Sequence, residues 1–338
     1  MATPLVSICI PTYNRAKFVS KAIDSALSQS YPNIEIIVVD NASQDEIDSV
    51  IANYQDTRLH FFKNSRNLGM YGNFNRCIEL SKGKYIHILH SDDYIDTHFT
   101  QKCVEFMESH HNVMMTFGSS WFLFEGEQKK IAVADHDVIY QAPEGFREIL
   151  EKGNMIICPS VMVNRKVYDS VGFYSTEYPY AGDLYQWLKI SRQFDFAFVA
   201  GATLFYREGE HSESFQLLIK TPLGYIDTIK IFIRLIDELG NEAVYRRELN
   251  IAIRRHMRVC YSAGIWLPDI MKAYSPLVFI GLSLNTWALI RSYSVIDRIK
   301  KFIDFLFILA VGIFYIFPGG LCCLKTYSWL KQKILKLL

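Results

Sequence analysis

The stretch Val6-Ser7-Ile8-Cys9-Ile10-Pro11-Thr12-Tyr13-Asn14-Arg15 decides the fold. Its apolar run, residues 6–10, reads as a buried strand that ends in a polar turn. Residues 17–28 follow as a helix. Outward from there the same alternation repeats: strand 34–39 (Ile-Glu-Ile-Ile-Val-Val), helix 44–54, strand 59–63, helix 70–81 and strand 85–89. Short β-branched runs alternating with helical stretches predict a parallel sheet with crossover helices, a Rossmann-like half. No G-x-G-x-x-G follows the first strand, which argues against a dinucleotide-dependent dehydrogenase.

Beyond residue 100 the sequence predicts a helix to about 110, a strand over 113–124 and a polar hairpin-like segment over 125–130. Helices are predicted at 144–153, 166–171 and 183–192, and a last strand at 196–206. The mixed order suggests a sheet that starts parallel and finishes with antiparallel strands. After about 215 the chain turns to long helical stretches rich in Leu, Ile, Phe and Arg, with no internal repeat.

Residues 305–324 carry no charge, and this 20-residue run has roughly the length of a membrane span. Pro318-Gly319-Gly320 would break a helix inside it. Arg298, Lys300 and Lys301 precede the run, and Lys325, Lys331, Lys333 and Lys336 follow, as at a lipid headgroup boundary. A second apolar stretch, 276–290, is too short to cross alone. The expectation is a membrane-seated region over 276–338, one tilted span or a broken re-entrant or interfacial pair; a buried helical hairpin of a soluble domain is the alternative.

Lys plus Arg number 36 against 35 Asp plus Glu, so the charge balance points away from nucleic acid as a partner. With 50% hydrophobic and 21% charged residues, the chain is neither disordered nor fibrous. Seven cysteines form no C-x-x-C pair, which indicates neither a disulfide framework nor a zinc knuckle and suits a reducing compartment. The N-terminus lacks a basic segment followed by a long apolar one, so no cleaved signal and a cytosolic catalytic part are expected.

The chemistry sits at strand ends. Pro11-Thr12-Tyr13-Asn14-Arg15 and Asp40-Asn41-Ala42-Ser43 end two neighbouring parallel strands, where open α/β sheets bind ligands. A ring at Tyr13 can stack on a base, and Asp40 can accept from a base or ribose; turn formation or helix capping explains the same residues. His90-Ser91-Asp92-Asp93 puts adjacent carboxylates at that edge. Like charges so close call for a cation, and carboxylates suit Mg²⁺ or Mn²⁺, although simple capping also produces such pairs. Asp183, after Gly182 and before Leu184, Trp187 and Leu188, reads as a helix N-cap or as a carboxylate placed to act as a general base. His211, in a polar loop, has weight only as a further member of a metal or diphosphate site.

Taken in order, these segments, with Asn67-Leu68-Gly69, Gly83-Lys84-Tyr85-Ile86 and Gly182-Asp183, resemble the family 2 glycosyltransferases of the GT-A fold. The resemblance covers roughly residues 4–215. It implies an α/β fold, a GT-A (Rossmann-like) mixed sheet sandwiched by helices, here with a C-terminal helical membrane-associated region. The domain expectation is therefore a GT-A domain over 1–215, a helical extension over 216–275 and apolar and basic membrane-associated helices over 276–338.

The resemblance further implies a nucleoside diphosphate sugar donor, with UDP as the guess, and inversion at the anomeric carbon. Pro11, Thr12, Tyr13, Asn14, Asp40, Asn67, Gly69, Asn73 and Asp92 match nucleotide-sugar-binding positions. Asp93 and His211 match ligands of Mn²⁺ or Mg²⁺, and Asp183 matches the catalytic base. Three departures stand out: His90 replaces a further aspartate, Asn73-Phe74-Asn75 replaces Ala-Arg-Asn and leaves Arg66 or Arg76 as candidates for the missing arginine, and Gly182 replaces a glutamate. The leading reading is a transferase that adds a sugar to a lipid-linked glycan at the cytoplasmic face of a membrane, for a surface polysaccharide. A polyprenyl-phosphate transferase and a non-catalytic sugar-nucleotide-binding subunit are the alternatives, the first disfavoured by Arg15 and Ser91-Asp92-Asp93, the second by the joint presence of Asp92, Asp93 and Asp183.

Overall fold

A computed structural model describes residues 3–124, 127–209, 212, 223–239 and 245–262. The chain divides into two compact units, Met1–Ile231 and Phe232–Leu338.

The first unit is built on strands β1 (Val6–Thr12), β2 (Ile34–Asp40), β3 (Leu59–Lys63), β4 (Tyr85–Ile88), β5 (Tyr94–Ile95), β6 (Val113–Phe124), β7 (Glu127–Ile131), β8 (Val138–Tyr140), β9 (Val161–Asn164) and β10 (Asp195–Arg207). They form one sheet in the order β3-β2-β1-β4-β9-β6-β10-β5, with β7 on β6 and β8 on β10. β1, β2, β3 and β4 are parallel, as the alternation of short strands and helices predicts. β9 runs antiparallel between β4 and β6, and β6 pairs parallel with β10. The antiparallel strands are thus β5, β7, β8 and β9, interleaved with the parallel ones rather than gathered at the end.

The helices are α1 (Ala16–Leu27), α2 (Ile47–Ile51), α3 (Met70–Leu80), α4 (Phe99–Ser109), α5 (Glu144–Lys152), α6 (Lys166–Val171), α7 (Gly182–Gln193), α8 (Leu223–Leu239) and α9 (Arg246–Ser262). Alternation along β1 feeds both faces of the sheet. Val6, Ile8 and Ile10 join the core with Val19 and Ile23 of α1 and Phe99 and Cys103 of α4. On the opposite face Cys9 reaches the Cys77 carbonyl of α3 at 3.7 Å. Both faces of β1 and β2 are buried throughout, which is why these strands read as continuous apolar runs. Cys9, Cys77, Cys103 and Cys158 are free thiols.

α2 covers five residues where the pattern predicts eleven. Its expected first turn is committed elsewhere: the Ser43 hydroxyl accepts the Asn14 N–H at 2.8 Å and Asp45 accepts the Ala16 N–H at 2.7 Å.

In the second unit, the Phe232 ring of α8 meets the His256 ring of α9 edge-on at 6.0 Å. No described helix is long and apolar enough to cross a membrane. The membrane-associated region expected over 276–338 lies outside the described residues.

Candidate active site

The carboxyl ends of β1, β2, β4, β6 and β10 share one edge of the sheet. The strand order reverses between β1, which leads to β2, and β4, and open α/β sheets bind ligands at such a switch point. A cavity of about 620 Å³ opens there. Pro11, Thr12 and Tyr13 line one wall and Phe122 and Tyr206, at the far ends of β6 and β10, another.

The β1 and β2 turns are sewn together. Asn14 and Ala42 both take the left-handed conformation, with φ of 51° and 63°. Asparagine tolerates it; alanine does so because its neighbours fix the turn. The Gln44 N–H donates to Asn14 Oδ1 at 2.8 Å, and the Ser43 N–H donates to Asp40 Oδ1 at 3.1 Å. Asp40 is fully buried, serves this turn and lies 3.9 Å from the Lys63 ammonium. Tyr13 remains 42% exposed at the cavity mouth, so its ring is free to stack on a planar ligand.

A second set of hydrogen bonds shapes the 64–73 segment. Asn41 donates to Asn67 Oδ1 at 2.8 Å and accepts the Leu68 N–H at 2.9 Å. Asn64 donates to Asn73 Oδ1 at 2.8 Å, and Asn73 donates to the Val39 carbonyl at 3.0 Å. Gly69 has φ of 75°, which places it at the start of α3 without steric cost. Asn67, Gly69 and Asn73 all line the cavity.

After β4 the chain delivers three metal-ligating groups. Ligand atoms of His90, Asp92 and Asp93 lie within 4.8 Å of one another, and His90 Nδ1 stands 3.8 Å from Asp93 Oδ2. The Arg207 N–H donates to Asp93 Oδ1 at 2.9 Å, whereas buried Oδ2 has no hydrogen-bond partner. Burial, then the Asp92 charge, push the Asp93 carboxyl well above the ordinary range, and Arg207 pulls the other way. The Arg207 side chain binds the Asp92 carbonyl and the Phe18 carbonyl, so one arginine fixes the loop from β10. Arg15 Nε lies 3.9 Å from Asp92 Oδ2. A buried carboxylate oxygen without a donor, beside a second carboxylate and an imidazole that burial keeps neutral, fits a divalent cation.

Asp183 stands in the first turn of α7, on the cavity wall. Its Oδ1 accepts the Leu184 N–H at 2.7 Å and lies 3.4 Å from the Tyr71 hydroxyl. Burial pushes its carboxyl up to about 6, against those two hydrogen bonds. Tyr71 Oη accepts the Asp183 N–H at 3.0 Å and donates to the Tyr180 carbonyl at 2.7 Å. A Cβ on Gly182 would stand 2.6 Å from the Tyr71 ring, so the absence of a side chain there is what admits Tyr71.

Of the residues expected from sequence, Pro11, Thr12, Tyr13, Asn67, Gly69, Asn73, Asp92 and Asp183 line one cavity, and Asp93 stands behind Asp92. Asn14 and Asp40 form the turn beneath Tyr13 rather than the wall. His211 lies outside the described residues. Arg66 is exposed and Arg76 pairs with Glu79 at 3.0 Å; neither lines the cavity, and Arg15 does. Tyr71 and Arg207, which sequence reasoning missed, carry no local motif. His90 did carry a signal, since an imidazole two residues before an Asp-Asp pair has ligand spacing.

The family described as Glycosyl transferase family 2 matches residues 7–172, which hold the turns after β1 and β2 and the Asp92-Asp93 pair but not Asp183. An "Uncharacterized glycosyltransferase MJ1057" of Methanocaldococcus jannaschii is 30% identical over 68% of this chain and 80% of its own. The Escherichia coli "UDP-Glc:alpha-D-GlcNAc-diphosphoundecaprenol beta-1,3-glucosyltransferase WfaP" is 31% identical over 55% of this chain and 70% of its own. The crystal structure of S. aureus TarS 1-349 in complex with UDP-GlcNAc superposes with a TM-score of 0.67 over 88% of this chain and 90% of that one, at 16% identity.

Proposed function

This chain belongs to glycosyltransferase family 2 and has its GT-A fold, and from that membership we propose that it moves a sugar from a nucleoside diphosphate sugar, a UDP-sugar first of all, to a hydroxyl of a lipid-linked glycan, with inversion at the anomeric carbon. The observation that carries the reading is one cavity lined by Tyr13, Asp92 and Asp183, three groups far apart in sequence that suit a base, a diphosphate site and an attacking hydroxyl. The donor named for WfaP and the ligand of the TarS complex are both UDP-sugars, and the WfaP acceptor is lipid-linked. The C-terminal 276–338 region would hold the enzyme at the cytoplasmic face of the membrane, beside that acceptor.

Tyr13 stacks on the base, with Pro11, Thr12, Asn14 and Asp40 shaping the turn that receives base and ribose. Asn67, Gly69 and Asn73 present the neighbouring wall. His90, Asp92, Asp93 and His211 would hold Mn²⁺ or Mg²⁺, which supplies charge neutralisation for the departing diphosphate when bound. Arg15 adds positive charge on the same wall. Asp183, ionised at neutral pH, accepts the proton of the acceptor hydroxyl as that oxygen attacks; such assistance is typically worth about 10² to 10⁴ in rate.

A panel of nucleotide sugars, each with and without Mn²⁺, tests the reading by thermal shift. A donor at 100 times its dissociation constant adds about 2.7 kcal/mol of stability. Release of the nucleoside diphosphate by the donor so selected would follow. No stabilisation by any nucleotide sugar would refute the donor class. Full-length protein that stays in the soluble fraction without detergent would remove the membrane anchor.

A further inference from the structure

Helix α7 starts without a cap of its own: Ala181 stands at its N-cap and has no side chain to receive the free backbone donors. Within its first turn the Leu184 N–H donates to Asp183 Oδ1 and the Asp183 N–H to Tyr71 Oη, whereas the donors that lead into the helix are met by α8. The Tyr180 N–H donates to Asp227 Oδ2 of α8 at 2.8 Å, and the backbone N–H groups of Tyr180 and Ala181 both stabilise the ionised Asp227 carboxylate. Asp227 is 0% exposed, and burial raises its carboxyl, opposed by these backbone bonds and by the Lys230 charge.

The other face of the same turn is held by Tyr71. Its hydroxyl donates to the Tyr180 carbonyl at 2.7 Å and accepts the Asp183 N–H at 3.0 Å. Tyr180 is therefore clamped at both polar ends, N–H to Asp227 and carbonyl to Tyr71, three residues before Asp183. The titratable groups around the Asp183 carboxylate are Tyr71 of α3, Cys158, Tyr174 and Tyr180, each pushed upward by burial and by Asp183, hence neutral at physiological pH.

We propose that Asp227 is a positioning residue for Asp183, capping α7 from α8 and fixing, through the Tyr180–Gly182 turn, where the base stands on the cavity wall. The proposal rests on Asp183 being the base, and it extends the working machinery past residue 172, where the family match ends, into α8. A turn released from Asp227 lets water reach Asp183, and solvation returns a buried carboxyl toward its ordinary value.

The test reads Asp183 directly and needs no acceptor. In full-length protein labelled with ¹³C at the aspartate carboxyl, the Asp183 resonance is identified by its loss in Asp183→Asn and titrated in wild type, Asp227→Asn and Asp227→Ala. Asp227→Asn conserves volume and one acceptor oxygen, so it keeps the test alive if the alanine variant does not fold. The expected result is a midpoint displaced downward by about one pH unit in Asp227→Ala and by less in Asp227→Asn. Variants that melt at lower temperature yet leave the Asp183 midpoint where wild type has it would overturn the proposal, because Asp227 would then support the fold alone. Full turnover by Asp183→Asn would instead remove the base role while leaving the measured link between the two residues intact.

Discussion

The Tyr71 hydroxyl holds Asp183 twice, accepting its backbone N–H at 3.0 Å and lying 3.4 Å from its carboxylate oxygen. A residue of α3, which follows the β1 and β2 turns in the chain, thus sets the position of a residue of α7.

Tyr71→Phe keeps the ring but leaves the Asp183 N–H and the Tyr180 carbonyl without a partner. A buried donor or acceptor stranded in this way costs about 1–3 kcal/mol. The variant should melt at a correspondingly lower temperature. Loss of the hydroxyl, which stabilises the carboxylate, should also move the acid limb of the rate profile to higher pH.

Asp183→Asn should retain nucleotide-sugar binding by thermal shift and lose about 10²- to 10⁴-fold in sugar transfer. In wild type the rate should climb as pH rises through about 6 and level off above it, since the proposed base must be ionised to accept a proton. The stability dependence has the opposite sense. The folded state holds the Asp183 proton more tightly than the unfolded chain does, so stability falls as pH rises between the ordinary 3.8 and about 6. The asparagine variant should lack that slope in a melting series.

Asp93→Asn replaces the oxygen that has no donor with an amide while Oδ1 still accepts the Arg207 N–H. The variant should melt higher than wild type in the absence of metal and gain nothing from added Mn²⁺. His90→Asp asks a related question, because imidazole suits transition metals and carboxylate suits Mg²⁺. The preference for Mn²⁺ over Mg²⁺ in equilibrium binding should drop by about tenfold. An unchanged ratio would take His90 out of the ligand set.

Gly182→Ala drives a methyl group to 2.6 Å from the Tyr71 ring. That ring stacks on Tyr174 at 5.6 Å and meets Phe74 edge-on at 5.4 Å, so it has little room to retreat. Overpacking of this kind costs about 1–3 kcal/mol. Chemical denaturation should show the loss, and donor turnover should fall with it because Asp183 moves with the turn.

The parallel half of the sheet was legible because both faces of β1 and β2 are buried, which leaves uninterrupted runs of β-branched residues. β9 was not: Val161–Asn164 is four residues long, follows a single 3₁₀ turn over Cys158–Ser160, and offers no period to count. Within the site, Asp92, Asp93 and Asp183 announce themselves as acidic residues at the end of a strand or the start of a helix. Tyr71 and Arg207 act on the site through contacts more than 100 residues away in the chain, 112 to the Asp183 carboxylate and 114 to Asp93, and nothing local marks them. The arginine expected from the helix start of relatives has no counterpart there, and Arg15 of the first turn occupies the cavity wall instead.

The reversed direction of β9 has a further effect on how this molecule can diverge. Since that strand begins, rather than ends, at the rim, the segment entering it brings Asn154, Ile156 and Cys158 onto the cavity wall. Insertions or deletions just upstream of the 3₁₀ turn would therefore reshape the pocket while every rung of the ladder keeps its register. The shape of the pocket can drift along this inlet without the scaffold having to change.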